Sequence, residues 1–102
     1  MTEVEAVTVV YEGLLGLTSI PVKLRERQGL DREQLSRVEA ALDLLNKAYA
    51  GRDVVPKRLA AAFVDIQGGM EQSRAWYSDT EQNEIQDAAD RLTMSAYALL
   101  GE

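Results

Sequence analysis

Apolar residues recur along this chain in steps of three and four, the spacing that places side chains on one face of an α-helix. The most regular stretch predicts a helix over 32–50, with Leu35, Val38, Leu42, Leu45 and Tyr49 forming a seam. Asp31-Arg32-Glu33-Gln34 opens it as a capping box: the Asp31 carboxylate accepts from the Gln34 amide, and the Gln34 side chain reaches back. Leu30 and Leu35 bracket that cap as a hydrophobic staple, and Gly51 supplies the left-handed stop. A second capping box, Ser78-Asp79-Thr80-Glu81 or Asp79 through Gln82 one residue later, starts the last helix. Its core face is Ile85, Ala88, Ala89, Leu92, Ala96 and Leu99, with Gly101 just past the end.

Between these two, the pattern Leu59, Phe63, Ile66, Met70, Tyr77 predicts a third helix from about Pro56. Gly68-Gly69 interrupts it, at a cost of about 1 kcal/mol per glycine relative to alanine. The pair either breaks the helix or admits another backbone closely, and the reading adopted is a continuous or kinked helix. At the N-terminus, Val4, Val7, Tyr11 and Leu14 have helical spacing, although Val7-Thr8-Val9-Val10-Tyr11 also suits a strand. A lone strand has no partner, which decides for a helix over about 2–16. Gly13 and Gly16 read as the end of that helix rather than as a small-residue helix contact. Ser19 then caps a short helix with Pro21 in its first turn and Gly29 at its end. The expected fold is all-α: a single-domain bundle spanning 1–102, with four main helices and a short connecting helix. Its expected core is Leu35, Val38, Leu42, Leu45, Phe63, Ile66, Ile85, Leu92 and Leu99.

Several of these helices are apolar on more than one side. Ala41, Leu44 and Ala48 widen the stripe of helix 32–50, and Ala6, Val10 and Leu17 widen that of the first helix. Met94 and Tyr97 lie opposite the core face of the last helix, among Asp87 and Asp90. A central position explains the surplus on helix 32–50; Met94 and Tyr97 point instead to a partner. The lone tryptophan, Trp76, sits beside Tyr77 and near Arg74 at a helix end. These are residue types common in binding hot spots, although plugging the end of the core, with the indole N–H on a loop carbonyl, is the simpler role for Trp76.

Composition narrows the chemistry. At 46% hydrophobic and 27% charged, the chain has the balance of a folded globular domain. It contains no His and no Cys. That removes imidazole acid–base groups, thiolate nucleophiles, disulfides, zinc knuckles, iron–sulfur clusters and histidine phosphotransfer. Glu84, Asp87 and Asp90 could in principle bind a divalent metal or exchange protons, but their spacing reads as a hydrated helix face with Arg91 nearby. The expectation is a non-enzymatic protein without cofactor or metal. The net charge of −6 repels a phosphate backbone, so nucleic acid is not an expected partner. No apolar run matches a membrane span in this reading, Glu3 and Glu5 stand where a signal peptide carries basic residues, and the expected location is cytoplasmic.

The functional expectation is protein–protein binding by an adaptor, a regulator, or an immunity- or antitoxin-like neutraliser whose acidic surface meets a basic protein. Homodimerisation is also expected, and the candidate contact residues are Trp76, Tyr77, Met94, Tyr97, Leu44, Asp87 and Asp90. Leu100 adds to the apolar surface of the last helix. The alternative is a small-molecule-binding bundle with Tyr11, Tyr49, Phe63 and Trp76 around an aromatic pocket.

Overall fold

The computed structural model describes residues 1–101, and among them every regular element is helical. In chain order the helices are α1 (Glu3–Leu15), α2 (Ile20–Arg25), α3 (Arg32–Ala48), α4 (Lys57–Phe63), α5 (Ile66–Glu71) and α6 (Asp79–Leu99). A single 3-10 turn, Arg74–Trp76, precedes α6.

Three long helices form the frame. α3 lies in the middle, packed against α1 on one side and α6 on the other. That central place buries Ala41 together with Val38, Leu42 and Leu45, so part of the apolar surplus read from its sequence is core. α4 rests on α1, and α5 bridges α6 and α2. The core includes Leu24, Leu42, Leu45, Leu59, Met70, Ile85 and Leu92, all essentially fully buried. Each such side chain stabilises the fold by roughly 1.5–3 kcal/mol relative to exposure.

The cap residues bond as short-range chemistry predicts, but neither expected capping box is completed by its return bond. Asp31 Oδ1 accepts from the Gln34 amide at 2.9 Å, and Ser78 Oγ accepts from the Glu81 amide at 3.2 Å. Gln34 does not reach back to complete its box. It is buried instead, its Nε2 donating to the Thr18 carbonyl at 3.2 Å across the α1–α2 connection. Lys23 takes the free side of the cap, its Nζ 2.6 Å from Asp31 Oδ2. Thr2 and Glu5 form a complete capping box on α1, a Thr-x-x-Glu signal missed above.

The N-terminal face is rotated from the expected one. Val4 is exposed and Tyr11 only half-buried, whereas Ala6, Val7, Val10 and Leu14 enter the core. Gly13 sets this rotation. A Cβ at Gly13 would lie 2.3 Å from Cγ2 of Val38, so α1 and α3 approach to a distance that only a hydrogen permits. Gly13 is thus a helix contact, contrary to the expectation, and Gly16 caps the helix end. α2 also stops earlier than expected, at Arg25 rather than near Gly29. Arg27, at φ 60, occupies the left-handed position usually given to glycine, and Gln28 N–H donates to the Lys23 carbonyl at 2.9 Å.

The predicted third helix is two helices, and the break falls before the glycines. Asp65 caps α5, its Oδ1 accepting from the Gly68 amide at 3.2 Å. A Cβ on Gly68 would collide with that carboxylate, and Gly69 lies against the Pro21 ring of α2. Gly68 therefore makes room for the cap inside α5, whereas a Cβ at Gly69 would meet Pro21 only in ordinary contact. Phe63, expected in the core, ends α4 at this corner and is only half-buried; the other eight expected core residues are buried.

The segment Glu3–Arg25 is apolar and long enough by composition to cross a membrane, contrary to the sequence reading. In the fold it is divided at Gly16–Ser19 into α1 and α2, and Val10, Leu14, Ile20 and Leu24 are buried in the core.

Candidate functional site

The expected aromatic and Met contact residues fall into two groups along a molecule 41 Å long and 19–24 Å across, with Asp87 and Asp90 between them in the middle of α6 and Leu44 on α3. Trp76 and Tyr77 stand at the start of α6. Met94 and Tyr97 stand near its end, about 25 Å away at 1.5 Å rise per residue.

Trp76 does not plug the core. It is 54% exposed, and the Arg27 guanidinium lies over its ring, 4.5 Å from the centroid. The left-handed turn at Arg27 brings this side chain back across the α2 terminus onto the indole. Tyr77 is half-buried, and its hydroxyl is fully used inside the fold. It donates to the Leu24 carbonyl at 2.8 Å and accepts from the Gly29 amide at 3.2 Å, tying the α2–α3 loop to the start of α6. Its role is structural, which removes it from the partner surface.

The carboxylates of α6 do not converge. Glu84 pairs with Arg32 of α3, and Arg91 turns away to Glu39 at 3.0 Å rather than to Asp87 or Asp90. Asp90 Oδ1 accepts from Gln86 Nε2 at 2.9 Å and Gln67 Nε2 at 3.1 Å, closing an amide network between α5 and α6. Gln86 also donates to Gln67, and accepts from Arg74 at 2.7 Å. Asp87 is exposed and meets no Lys or Arg among the described residues. No group of three Asp or Glu there is placed to hold a metal ion. Two carboxyls are held below the usual range, and both belong to helix caps. Glu5 is lowered by hydrogen bonds from the Thr2 amide and then the Thr2 hydroxyl. Asp31 is lowered chiefly by the Lys23 ammonium and then by the Gln34 amide.

The four aromatics of the small-molecule alternative are not brought together. Tyr11 is covered by Arg58 at 4.6 Å and Tyr49 by Arg52 at 4.7 Å, while Phe63 and Trp76 stand elsewhere.

What does assemble is an apolar surface around the C-terminal half of α6. A cleft of about 130 Å³ runs between this helix and the α4–α5 corner, lined by Phe63, Val64, Tyr97 and Leu100 among others. Val64 is 83% exposed, Met94 71% and Tyr97 58%. Met94 faces the other way, into a groove shared with Asp43, Asn46 and Lys47 of α3. Leu44 is half-buried and lies beyond Asp43 and Lys47, at the margin of this surface. Tyr97 is distinctive among the tyrosines: no arginine covers its ring and no hydrogen bond holds its hydroxyl among the described residues. Val64 escaped the sequence reading because it looks like the interior of a long helix. The signal was Asp65, an N-cap residue directly before Ile66.

Comparison of the chain with protein-family models, with curated proteins and with solved structures gives no match.

Proposed function

We propose that this chain is a non-enzymatic protein-binding module, of the adaptor, regulator or neutraliser kind, that engages its partner through the outer face of α6 near its C-terminal end. The carrying observation is the group of large exposed apolar side chains around one helix end: Val64, Tyr97 and Leu100 line one cleft, and Met94 is exposed in the neighbouring groove on the α3 side. Contiguous exposed apolar surface of this kind marks binding sites in soluble domains, and tyrosine is among the residues that dominate binding energy. Trp76 with Arg27 forms a separate, smaller feature at the other end.

The test compares wild type with Tyr97→Asp and Val64→Asp as baits in the native source, with mass spectrometry of what is retained. A protein retained by wild type and lost by both variants supports the reading. Equal retention by all three overturns this surface. Self-association is a second reading, favoured by the number of exposed apolar side chains on one helix and by the prevalence of two-fold dimers. Light scattering coupled to size exclusion checks it: a dimeric mass that Tyr97→Asp reduces to a monomer assigns the face to a second copy.

A further inference from the structure

We infer that the outer face of α6 docks a cationic amphipathic helix of another protein, laid along Asp87, Asp90, Met94 and Tyr97. The inference rests on the protein-binding reading and names the chemistry of the partner. These four exposed residues follow one another at spacings of three, four and three, the register of a helix–helix seam. At about 100° per residue they fall within an arc of about 80°, and they extend over about 15 Å of helix axis. The opposite face of the same helix, Ile85, Ala88, Leu92 and Leu99, is buried in the core. α6 therefore carries two seams, and the fold uses one.

The free seam is divided chemically into a carboxylate half and an apolar half. Its flanks repeat the negative sign: Asp43 borders Met94, and Asp65 borders Tyr97. None of these four carboxylates meets a Lys or Arg within 4.0 Å among the described residues. The nearby cations are engaged elsewhere, Arg91 with Glu39 and Arg74 with Glu71 and Gln86. Lys47 is the cation that lines the groove beside Met94. The amides of Gln67 and Gln86 fix the position of Asp90 without neutralising its charge.

A second copy fits this seam poorly. Parallel pairing sets Asp87 on Asp87 and Asp90 on Asp90. Antiparallel pairing that keeps Met94 on Tyr97 sets Asp90 beside the last carbonyls of the other α6, the negative end of its dipole. A helix with Lys or Arg level with Asp87 and Asp90, and Leu-like residues level with Met94 and Tyr97, satisfies both halves. The charges then govern register and association rate, and the apolar half supplies affinity.

The experiment uses two labelled synthetic helices with the same Leu seam, one flanked by Lys and Arg and the other by Glu, and reads anisotropy on the full chain. The cationic peptide is expected to bind at least about tenfold more tightly at low salt, and that preference to collapse at about 0.5 M salt, where the screening length is a few ångströms. The double variant Asp87→Asn with Asp90→Asn is expected to lose most of the preference. Tyr97→Asp, with the milder Tyr97→Ala beside it, is expected to lose binding to both peptides. The Met94 methyl resonance should shift on titration while Trp76 emission stays unchanged. Equal binding of both peptides through Tyr97 overturns the cationic partner and leaves the protein-binding reading standing. Binding indifferent to both Tyr97 variants overturns this face. If neither peptide binds, the inference is overturned; the bait comparison above then decides separately whether the protein-binding reading survives. Circular dichroism melts of each variant separate lost contact from lost fold.

Discussion

Gly13 and Val38 show how closely one residue constrains this fold. Val38 is β-branched and held in a helix, so its χ1 has little freedom to move a methyl away from an added Cβ. Gly13→Ala gains about 1 kcal/mol of helix propensity, yet overpacking costs about 1–3 kcal/mol and should prevail. Urea denaturation is expected to show net destabilisation, relieved in the presence of Val38→Ala as a non-additive double-mutant cycle. A more stable Gly13→Ala protein would show that the two helices are free to part. The tyrosines provide a second residue-scale contrast. Tyr77→Phe removes a hydroxyl that bridges Leu24 and Gly29 and should cost about 1–2 kcal/mol. Tyr97→Phe removes one that no group among the described residues uses, and its unfolding midpoint should match wild type. The sequence displays both tyrosines alike, because Leu24 and Gly29 lie some fifty residues from Tyr77 in the chain. The same distance hid Arg27 from Trp76, and with it the reason that Trp76 stays at the surface.

At the level of elements, the two strongest local starts and most of the core face were legible, whereas the Thr2 and Asp65 caps and the contacts between helices were not. The starts of α3 and α6 follow from Asp31 and Ser78, and the stop after α3 from Gly51, which takes φ 79. The third helix reads from its pattern as continuous or kinked with Gly68-Gly69 as its weak point, and the break falls instead at Val64-Asp65. Glycines are costly in a helix, but Gly68 leaves room for the Asp65 cap inside α5. The side of α1 that enters the core was illegible for a similar reason, since the rotation depends on which helix meets Gly13. The Asp31 cap also has a pH signature. Lys23 and the Gln34 amide lower its folded pKa below the unfolded one, so the folded state binds fewer protons as pH falls through this range. The resulting stability is complete above the unfolded carboxylate value of about 3.9 and is lost as pH falls through the folded value. Asp31→Asn keeps a competent cap without the charge. Thermal melts should show the variant less stable than wild type at pH 6–7, with the gap closing below about pH 4. A gap independent of pH would show that the Lys23 pair contributes nothing to this cap.

Across the whole molecule, stability should be divided unevenly between the long frame and the segment that joins it. α1, α3 and α6 are thirteen to twenty-one residues long and pack against one another through α3. α4 and α5 have seven and six residues, well below the roughly 12–15 at which a helix becomes even marginal alone. They persist through four buried anchors, Leu59, Ala62, Ile66 and Met70. The loop before α4 and the 3-10 turn after α5 have no buried apolar side chain. Such a unit opens before the frame does. Native-state hydrogen exchange should therefore find amides of α4 and α5 exchanging through a sub-global opening, while central amides of α3 and α6 exchange only with global unfolding. Ile66→Ala should lower protection throughout α4–α5 and leave the centre of α3 nearer its wild-type value. One wall of the apolar cleft, Phe63 and Val64, belongs to this weaker unit, whereas Tyr97 belongs to the frame. An occupant seated between them would tie the two units together, so binding should raise protection in α4–α5 above that of the free protein. Uniform exchange across all six helices, in the free protein, would mean that the short helices are as firmly held as the frame.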